Sequence, residues 1–365
     1  MSQRSAIRRI ALVLGSLSVL LIAYLLLWPI PIRPVAWTPS PIPALTGVHA
    51  KNDDLRSAAP LTTVGKGPED LVLGPDGHVY TGLEDGRIVR FRPDRPDEIT
   101  TYVNTGGRPL GLKFANDGYL IVADGARGLL SVNKDRLVQT LTDSVGDSPL
   151  IFVNHLDIAA DGTIWFSDSS QRFKGDALLD MMEGSATGRL LSYEPRTGMT
   201  KVHLDGLRFA NGVSVGPDDE YVLVSETLEA RIKRLWVKGP RRGESDTFVD
   251  QLPGYPDNIS YNDDGLFWVA LPMPRVKAWE DLASKPLVRA VLMRLPSVPA
   301  PSPDPVAWIV GLNANGEVVR SHQSWGGDYS LVTGVTEING TLYLGSIYLE
   351  AIARLSVPER LVVGD

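Results

Sequence analysis

The chain has 365 residues, 43 acidic and 36 basic side chains, a formal net charge of −7 and no cysteine. An acidic body without a Lys/Arg block argues against nucleic acid, whose phosphates require clustered cations. The lack of thiols excludes disulfide frameworks, Cys-ligated zinc and thiol nucleophiles.

The first predicted element is a membrane span. Ile10 to Trp28 carries no charge, and as a helix it would extend roughly 28 Å, enough to cross a hydrocarbon core. Arg4, Arg8 and Arg9 precede it, so the positive-inside rule keeps residues 1–9 cytoplasmic and sends the body to the extracytoplasmic side, the periplasm in a bacterium. A cleaved signal peptide competes, but Pro29, Ile30, Pro31, Ile32, Arg33 and Pro34 stand where small residues at an A-x-A-like site are needed. An uncleaved anchor over residues 10–28 is therefore expected. Residues 29–58 read as a spacer, and the proline-rich stretch Pro29 to Pro43 makes it stiff and extended.

From residue 59 onward six units repeat one plan, an apolar strand, a tight turn and a second strand. The turns are Asp76-Gly77, Asp117-Gly118, Asp161-Gly162, Asp218-Asp219, Asp264-Gly265 and Asn339-Gly340. Their flanks are short, β-branched and aromatic, as in Asp70-Leu-Val-Leu with His78-Val-Tyr-Thr, or Leu156-Asp-Ile with Thr163-Ile-Trp-Phe. The expected fold is all-β, a six-bladed β-propeller over residues 59–365 behind an N-terminal transmembrane helix. Strand material near Leu61 to Val64 would complete the last blade and close the ring. Turn spacings of 41, 44, 57, 46 and 75 mark two insertions. Phe173 to Gly184 reads as holding a short helix; Val276 to Ser284 and the linker Pro296 to Pro305 form the other. Such insertions usually map to loops that can wall a pocket.

Counting seven residues back from each turn gives Glu69, Leu110, Asn154, Asn211, Asp257 and Val332. In a propeller that offset falls at the start of the innermost strand, so four oxygen-bearing side chains would approach one axis. Two carboxylates and two amides suit Ca²⁺, which takes six to eight oxygens, better than Mg²⁺, which keeps its waters. Asn258 could add a further oxygen. In the bland alternative these side chains only cap turns through local hydrogen bonds. His155 follows a proposed ligand and is a candidate proton carrier, although strand alternation could turn it into the blade core. His49, His78, His203 and His322 carry no constellation. Asp168 reads as a holder of neighbouring backbone. There is no Gly-x-Ser-x-Gly elbow, Walker sequence or Rossmann fingerprint.

The stretch Gly206-Leu-Arg-Phe-Ala-Asn-Gly-Val213, followed by Ser225-Glu-Thr227, Arg231, Arg234, Trp236, Gly239 and Leu252-Pro-Gly-Tyr-Pro-Asp-Asn-Ile259, closely resembles the strictosidine synthase-like proteins. Gly188-Arg-Leu190, Thr336-Glu337 and Leu344-Gly-Ser346 extend the match over most of residues 60 to 355. The resembling branch includes the membrane-anchored adipocyte plasma membrane-associated proteins, within a superfamily of six-bladed propellers that also holds calcium-dependent gluconolactonases and paraoxonases. The resemblance implies that Glu69, Asn154, Asn211 and Asp257 match the superfamily's metal ligands. Two departures matter. Thr333 stands where plant strictosidine synthases carry the glutamate used in amine condensation, which argues against that reaction. His155 replaces an aspartate usual after the ligand asparagine, which speaks against a second, buried calcium.

The expected function is a membrane-anchored, Ca²⁺-dependent hydrolase of a small-molecule lactone or activated ester. Asp257 or Glu69 would act as base, with His155 a third candidate. The alternative is a non-catalytic, calcium-stabilised propeller that binds a partner or small ligand, since fold alone does not fix function.

Overall fold

The computed structural model describes residues 3–297 and 305–358. Most of the linker expected over Pro296 to Pro305 lies outside the described residues, as do the first two residues and the last seven. Two compact units are distinguished: one comprises Met1–Pro39, Ala177–Ser185 and Val276–Ser302, the other Ser40–Asp176, Ala186–Arg275 and Pro303–Asp365.

The larger unit is the propeller. Six four-stranded antiparallel sheets follow one another along the chain. Blade 1 comprises Leu71–Leu73, Val79–Gly82, Arg87–Arg92 and Arg95–Asn104; blade 2, Pro109–Phe114, Leu120–Asp124, Gly128–Val132 and Val138–Thr142. Blade 3 comprises Val153–Ile158, Ile164–Asp168, Gly188–Glu194 and Met199–Leu207; blade 4, Ala210–Val215, Tyr221–Glu226, Arg231–Trp236 and Ser245–Val249. Blade 5 comprises Ile259–Tyr261, Phe267–Ala270, Val306–Leu312 and Val318–Trp325. Blade 6 takes Gly334–Ile338, Thr341–Gly345 and Ala351–Ser356 from the C-terminal part, and Ala59–Thr63 supplies its outermost strand. The ring thus closes through the expected segment, which pairs antiparallel with the third strand of the last blade. The first strand of each blade neighbours those of the next and previous blades, so the six surround a common axis.

All six sequence turns join the first and second strands of a blade. Asp76, Asp117 and Asp161 each accept a hydrogen bond from the backbone N–H two residues on, an Asx turn that fixes the reversal. Between the blades lie continuous apolar layers. Tyr221, Phe248 and Phe267 of blades 4 and 5 pack with Trp308 and Val310; Leu55, Trp268, Val335 and Leu344 fill the space between blades 5 and 6.

Leu55 shows that the expected spacer ends too late at residue 58. Its N–H donates to the Gln323 carbonyl at 2.9 Å, Gln323 N–H donates to Asn52 Oδ1 at 2.8 Å, and Asp54 Oδ2 lies 2.8 Å from His322 Nδ1. Residues 52–58 are therefore propeller, laid along the outer strand of blade 5.

In the smaller unit a helix runs over Gln3–Leu27, within which Ile7–Leu27 is long and apolar enough to cross a membrane, with no part of that window buried in protein. It begins several residues before Ile10 and stops one short of Trp28, because the following Pro29 disfavours helical geometry at Trp28. The two insertions belong here. The first carries the helix Ala177–Glu183, and the second carries Lys277–Glu280 and a further helix, Pro286–Leu292, beyond the expected Ser284.

Candidate metal centre

The ring positions reached by the seven-residue count sit at the head of each blade's first strand, and all six side chains are buried. Exposure is 3% for Glu69, 4% for Leu110, 4% for Asn154, 3% for Asn211, 8% for Asp257 and 0% for Val332. Close backbone approach makes this possible. A Cβ on Gly334 of blade 6 would meet the Glu69 carbonyl oxygen at 2.2 Å, and one on Gly212 of blade 4 would meet the Asp257 carbonyl oxygen at 2.5 Å. Only glycine lets these first strands nest at the level of the polar ring.

Five side-chain oxygens of this ring and of the neighbouring Asn258 have no hydrogen-bond partner. Glu69 Oε2, Asn154 Oδ1, Asn211 Oδ1, Asp257 Oδ1 and Asn258 Oδ1 are all buried and unbonded. Local turn capping would bond such oxygens to nearby N–H groups, and these five carry no such bond. One amide is visibly oriented: Asn211 Nδ2 donates to Thr227 Oγ1 at 3.3 Å, and Thr227 itself donates to the Pro256 carbonyl at 2.7 Å, leaving the Asn211 oxygen free. Burying an unpaired polar atom costs on the order of 1–3 kcal/mol, and five together call for a shared partner.

The charges point the same way. Burial pushes Glu69 up to about 7, opposed by the Arg108 guanidinium and His155 and reinforced by Asp70. Asp257 is held well above the usual carboxylate range by burial and then by the negative charge of Glu69, with Asn211 pulling it back. Two buried carboxylates thus repel each other beside amide oxygens, the donor chemistry that a hard dication takes. Among the described residues no group of three or more His, Cys, Asp or Glu side chains is placed to hold a metal ion.

His155 is buried behind the ring. Its Nδ1 lies 3.0 Å from the Val213 backbone nitrogen and 3.1 Å from the Val213 carbonyl oxygen, and Nε2 lies 3.6 Å from Asp70 Oδ2. Asp70 in turn accepts from Leu71 N–H at 2.8 Å and Leu112 N–H at 2.9 Å, tying blade 1 to blade 2. Asp157 does the same from blade 3 to blade 4 through Val215 N–H at 2.9 Å. The imidazole thus occupies a bracing layer of side-chain to backbone bonds between blades. Thr333 is fully buried, its Oγ1 accepting from Ile347 N–H at 3.2 Å, so no carboxylate enters the axis from blade 6 at that position.

Two groups near the ring were not read from the sequence. Arg108 stands two residues before the apolar ring position Leu110; its Nη2 donates to the Gly67 carbonyl at 2.8 Å, while Nη1 is buried without a bond. Tyr348, half exposed, has its phenol pushed up to about 12 by desolvation and then by Asp257 and Glu69. Neither lies at the counted offset, so the repeat arithmetic could not reach them.

A closed ring of six four-stranded antiparallel sheets defines the class as a six-bladed β-propeller. Residues 154–240 match the strictosidine synthase family and residues 47–91 the strictosidine synthase-like N-terminal family. The adipocyte plasma membrane-associated protein of Salmo salar is 35% identical over 94% of this chain and 88% of its own length. That of Rattus norvegicus is also 35% identical, over 94% of this chain and 97% of its own. A strictosidine synthase-like protein of Arabidopsis thaliana is 37% identical over 63% of this chain and 64% of its own. The chain belongs to the strictosidine synthase-like family, in the branch of the adipocyte plasma membrane-associated proteins. Among solved structures, a gluconolactonase of Xanthomonas campestris superposes with a TM-score of 0.60 at 14% identity, covering 82% of this chain and 89% of that one. A calcium-binding regucalcin of Agrobacterium tumefaciens gives 0.57 at 13% identity, covering 84% and 94%. At such identity the likeness establishes the propeller fold.

Proposed function

We propose that the protein is a membrane-anchored, Ca²⁺-dependent hydrolase of small lactones or activated esters. The observation that carries this reading is the group of five buried, unbonded side-chain oxygens at the heads of the blades' first strands. Glu69, Asn154, Asn211, Asp257 and Asn258 would hold the ion. When bound, Ca²⁺ supplies Lewis-acid polarisation of a carbonyl and compensation for the charge of a tetrahedral oxyanion.

The chain's own residues supply the rest. The attacking water must give up a proton, and Asp257 or Glu69 would accept it through a carboxylate oxygen not engaged by the ion. His155 is the weaker candidate, because its Nδ1 is engaged by Val213 and its Nε2 faces Asp70. Arg108 offers a cation beside Glu69. Thr333 in place of a carboxylate argues against amine condensation, the chemistry of the family's eponymous synthase. In the membrane, Arg8 and Arg9 before the span would keep the N-terminus cytoplasmic and place the propeller on the extracytoplasmic side.

The test is a panel of lactones and aryl esters offered to the full-length protein in detergent. Hydrolysis should disappear with chelator, return with Ca²⁺, and fall by at least 10²-fold in Asp257→Asn, whose fold is checked by circular dichroism. A folded, calcium-loaded protein that is inert across the panel would replace the hydrolase with the binding-platform reading.

A further inference from the structure

The helix Pro286–Leu292 is built the wrong way round for a water-facing surface. Its one charged residue, Arg289, is 2% exposed, while Leu287 is 80% exposed, Val288 43% and the following Leu295 38%. At helical spacing Leu287, Val288 and Val291 share one face, and Arg289 leaves from the opposite side. The guanidinium is spent inside its own unit. Nη1 donates to the Met182 and Glu183 carbonyls, both at 2.9 Å, and Nη2 to the Ala283 carbonyl at 3.0 Å and that of Val35. Trp37 lies with its ring centroid 4.8 Å from the same group. One arginine therefore pins both insertions and the segment after the apolar helix, and the pinned helix presents leucine and valine outward.

The position of that face relative to the apolar helix is fixed within the unit. Tyr24 Oη donates to the Arg294 carbonyl at 2.7 Å, and Arg294 Nε donates to the Trp28 carbonyl at 2.6 Å. The segment after Leu292 is thereby fastened to the last turn of Ile7–Leu27, beside the Tyr24 and Trp28 pair, whose centroids are 5.6 Å apart. Tyr and Trp at the end of a span mark the boundary between acyl chains and headgroups. A helix with its charge turned inward, apolar residues outward and a tie to that boundary meets the description of an interfacial element.

We propose that Pro286–Leu292 and Leu295 lie in the headgroup and acyl boundary of the bilayer, as a second membrane contact beside the span. The occupant of the exposed face is lipid. Leu287 and Val288 would sit among the upper acyl carbons, with the exposed Lys285 reaching the headgroups. The proposal rests on Ile7–Leu27 being embedded in a bilayer.

Because the chain has no cysteine, single probes can be placed without background. Full-length Leu287→Cys and Leu295→Cys, labelled with the fluorophore NBD and reconstituted in phosphatidylcholine vesicles, are compared with Leu137→Cys, where an exposed leucine immediately precedes the outer strand Val138–Thr142 of blade 2. The proposal expects blue-shifted emission at 287 and 295, quenching by lipids carrying a shallow nitroxide, and at least fivefold weaker iodide quenching than at 137. Iodide quenching at 287 equal to that at 137 would overturn it. So would a blue shift insensitive to nitroxide lipid and dependent on protein density, which would assign the face to a second copy. Alkaline extraction of the same vesicles reports on the span separately: protein released by carbonate refutes the embedded helix itself, whereas retained protein with a water-exposed residue 287 refutes only the interfacial helix.

Discussion

Asp168 is fully buried at the end of blade 3's second strand, and every bond it makes is to structure. It accepts from Ile151 N–H at 3.2 Å, Phe152 N–H at 2.8 Å and Arg189 Nη2 at 2.6 Å. Burial raises its carboxyl above the usual range despite the guanidinium beside it. Cutting Arg189 back to alanine would strand a buried carboxylate with backbone donors alone, and removal of one partner of such a pair costs about 3–5 kcal/mol. Urea unfolding of Arg189→Ala should show a loss of that size, with Asp168→Asn combined with Arg189→Met recovering part of it. His203 carries the second prediction at this scale. Desolvation beneath Trp165, and then Lys201, push it down to about 4 from 6.5, while Ser192 Oγ lies 2.8 Å from its Nε2. The unfolded chain takes up this proton below pH 6.5 and the folded protein does not. Stability is therefore complete above 6.5 and falls as pH drops toward 4, and His203→Gln should flatten that part of the pH profile in a denaturation series. The role of Asp168 could be read from Phe-Ser-Asp-Ser-Ser, but its partner could not, since Arg189 is distant in sequence and only strand pairing brings it opposite.

At the scale of elements, legibility follows burial. Second strands such as Val79–Gly82 and Leu120–Asp124 were readable because they are buried on both faces and each follows a tight turn led by Asp or Asn. Fourth strands such as Arg95–Asn104 and Met199–Leu207 went unread; their residues are almost all exposed or half-buried and leave no continuous apolar run for a period to show in. Val306–Leu312, wholly buried, was missed for another reason: an insertion separates it from its partner Phe267–Ala270 and removes the turn signal. The site was legible because ring positions recur at one offset from the turn. The nesting of first strands was not, because a glycine's close neighbour belongs to another blade. Gly334→Ala would drive a methyl to 2.2 Å from the Glu69 carbonyl, an overpacking change that typically costs 1–3 kcal/mol. Gly340→Ala at φ +74° meets no atom within 4 Å and carries only the backbone penalty of about 1 kcal/mol. Calorimetry should rank Gly334→Ala as the more damaging, and calcium titration should show weakened affinity for it alone, because of the two only Gly334 abuts Glu69, a proposed ligand.

For the whole molecule, the question is what holds a ring of repeats shut. Ala59–Thr63 closes blade 6 with strand pairing, a tie at the outer rim. The axial oxygens come from blades 1, 3, 4 and 5, so an ion among them would be a second tie at the hub, joining blades far apart in sequence. The two differ thermodynamically. Strand closure acts at any calcium concentration, whereas the hub contributes through mass action, about 2.7 kcal/mol when free ligand stands a hundredfold above its Kd. Urea unfolding of the full chain should therefore shift to higher midpoint with CaCl2 and return with EGTA. Asp257→Asn should lose most of the increment while keeping its chelated stability near that of the parent, since a neutral amide relieves the repulsion with Glu69. Mg²⁺ should give less, because it surrenders its waters reluctantly to a protein cage. Midpoints that coincide in CaCl2 and EGTA would mean that these carboxylates and amides meet no ion at the hub, and that the ring is held by its rim alone.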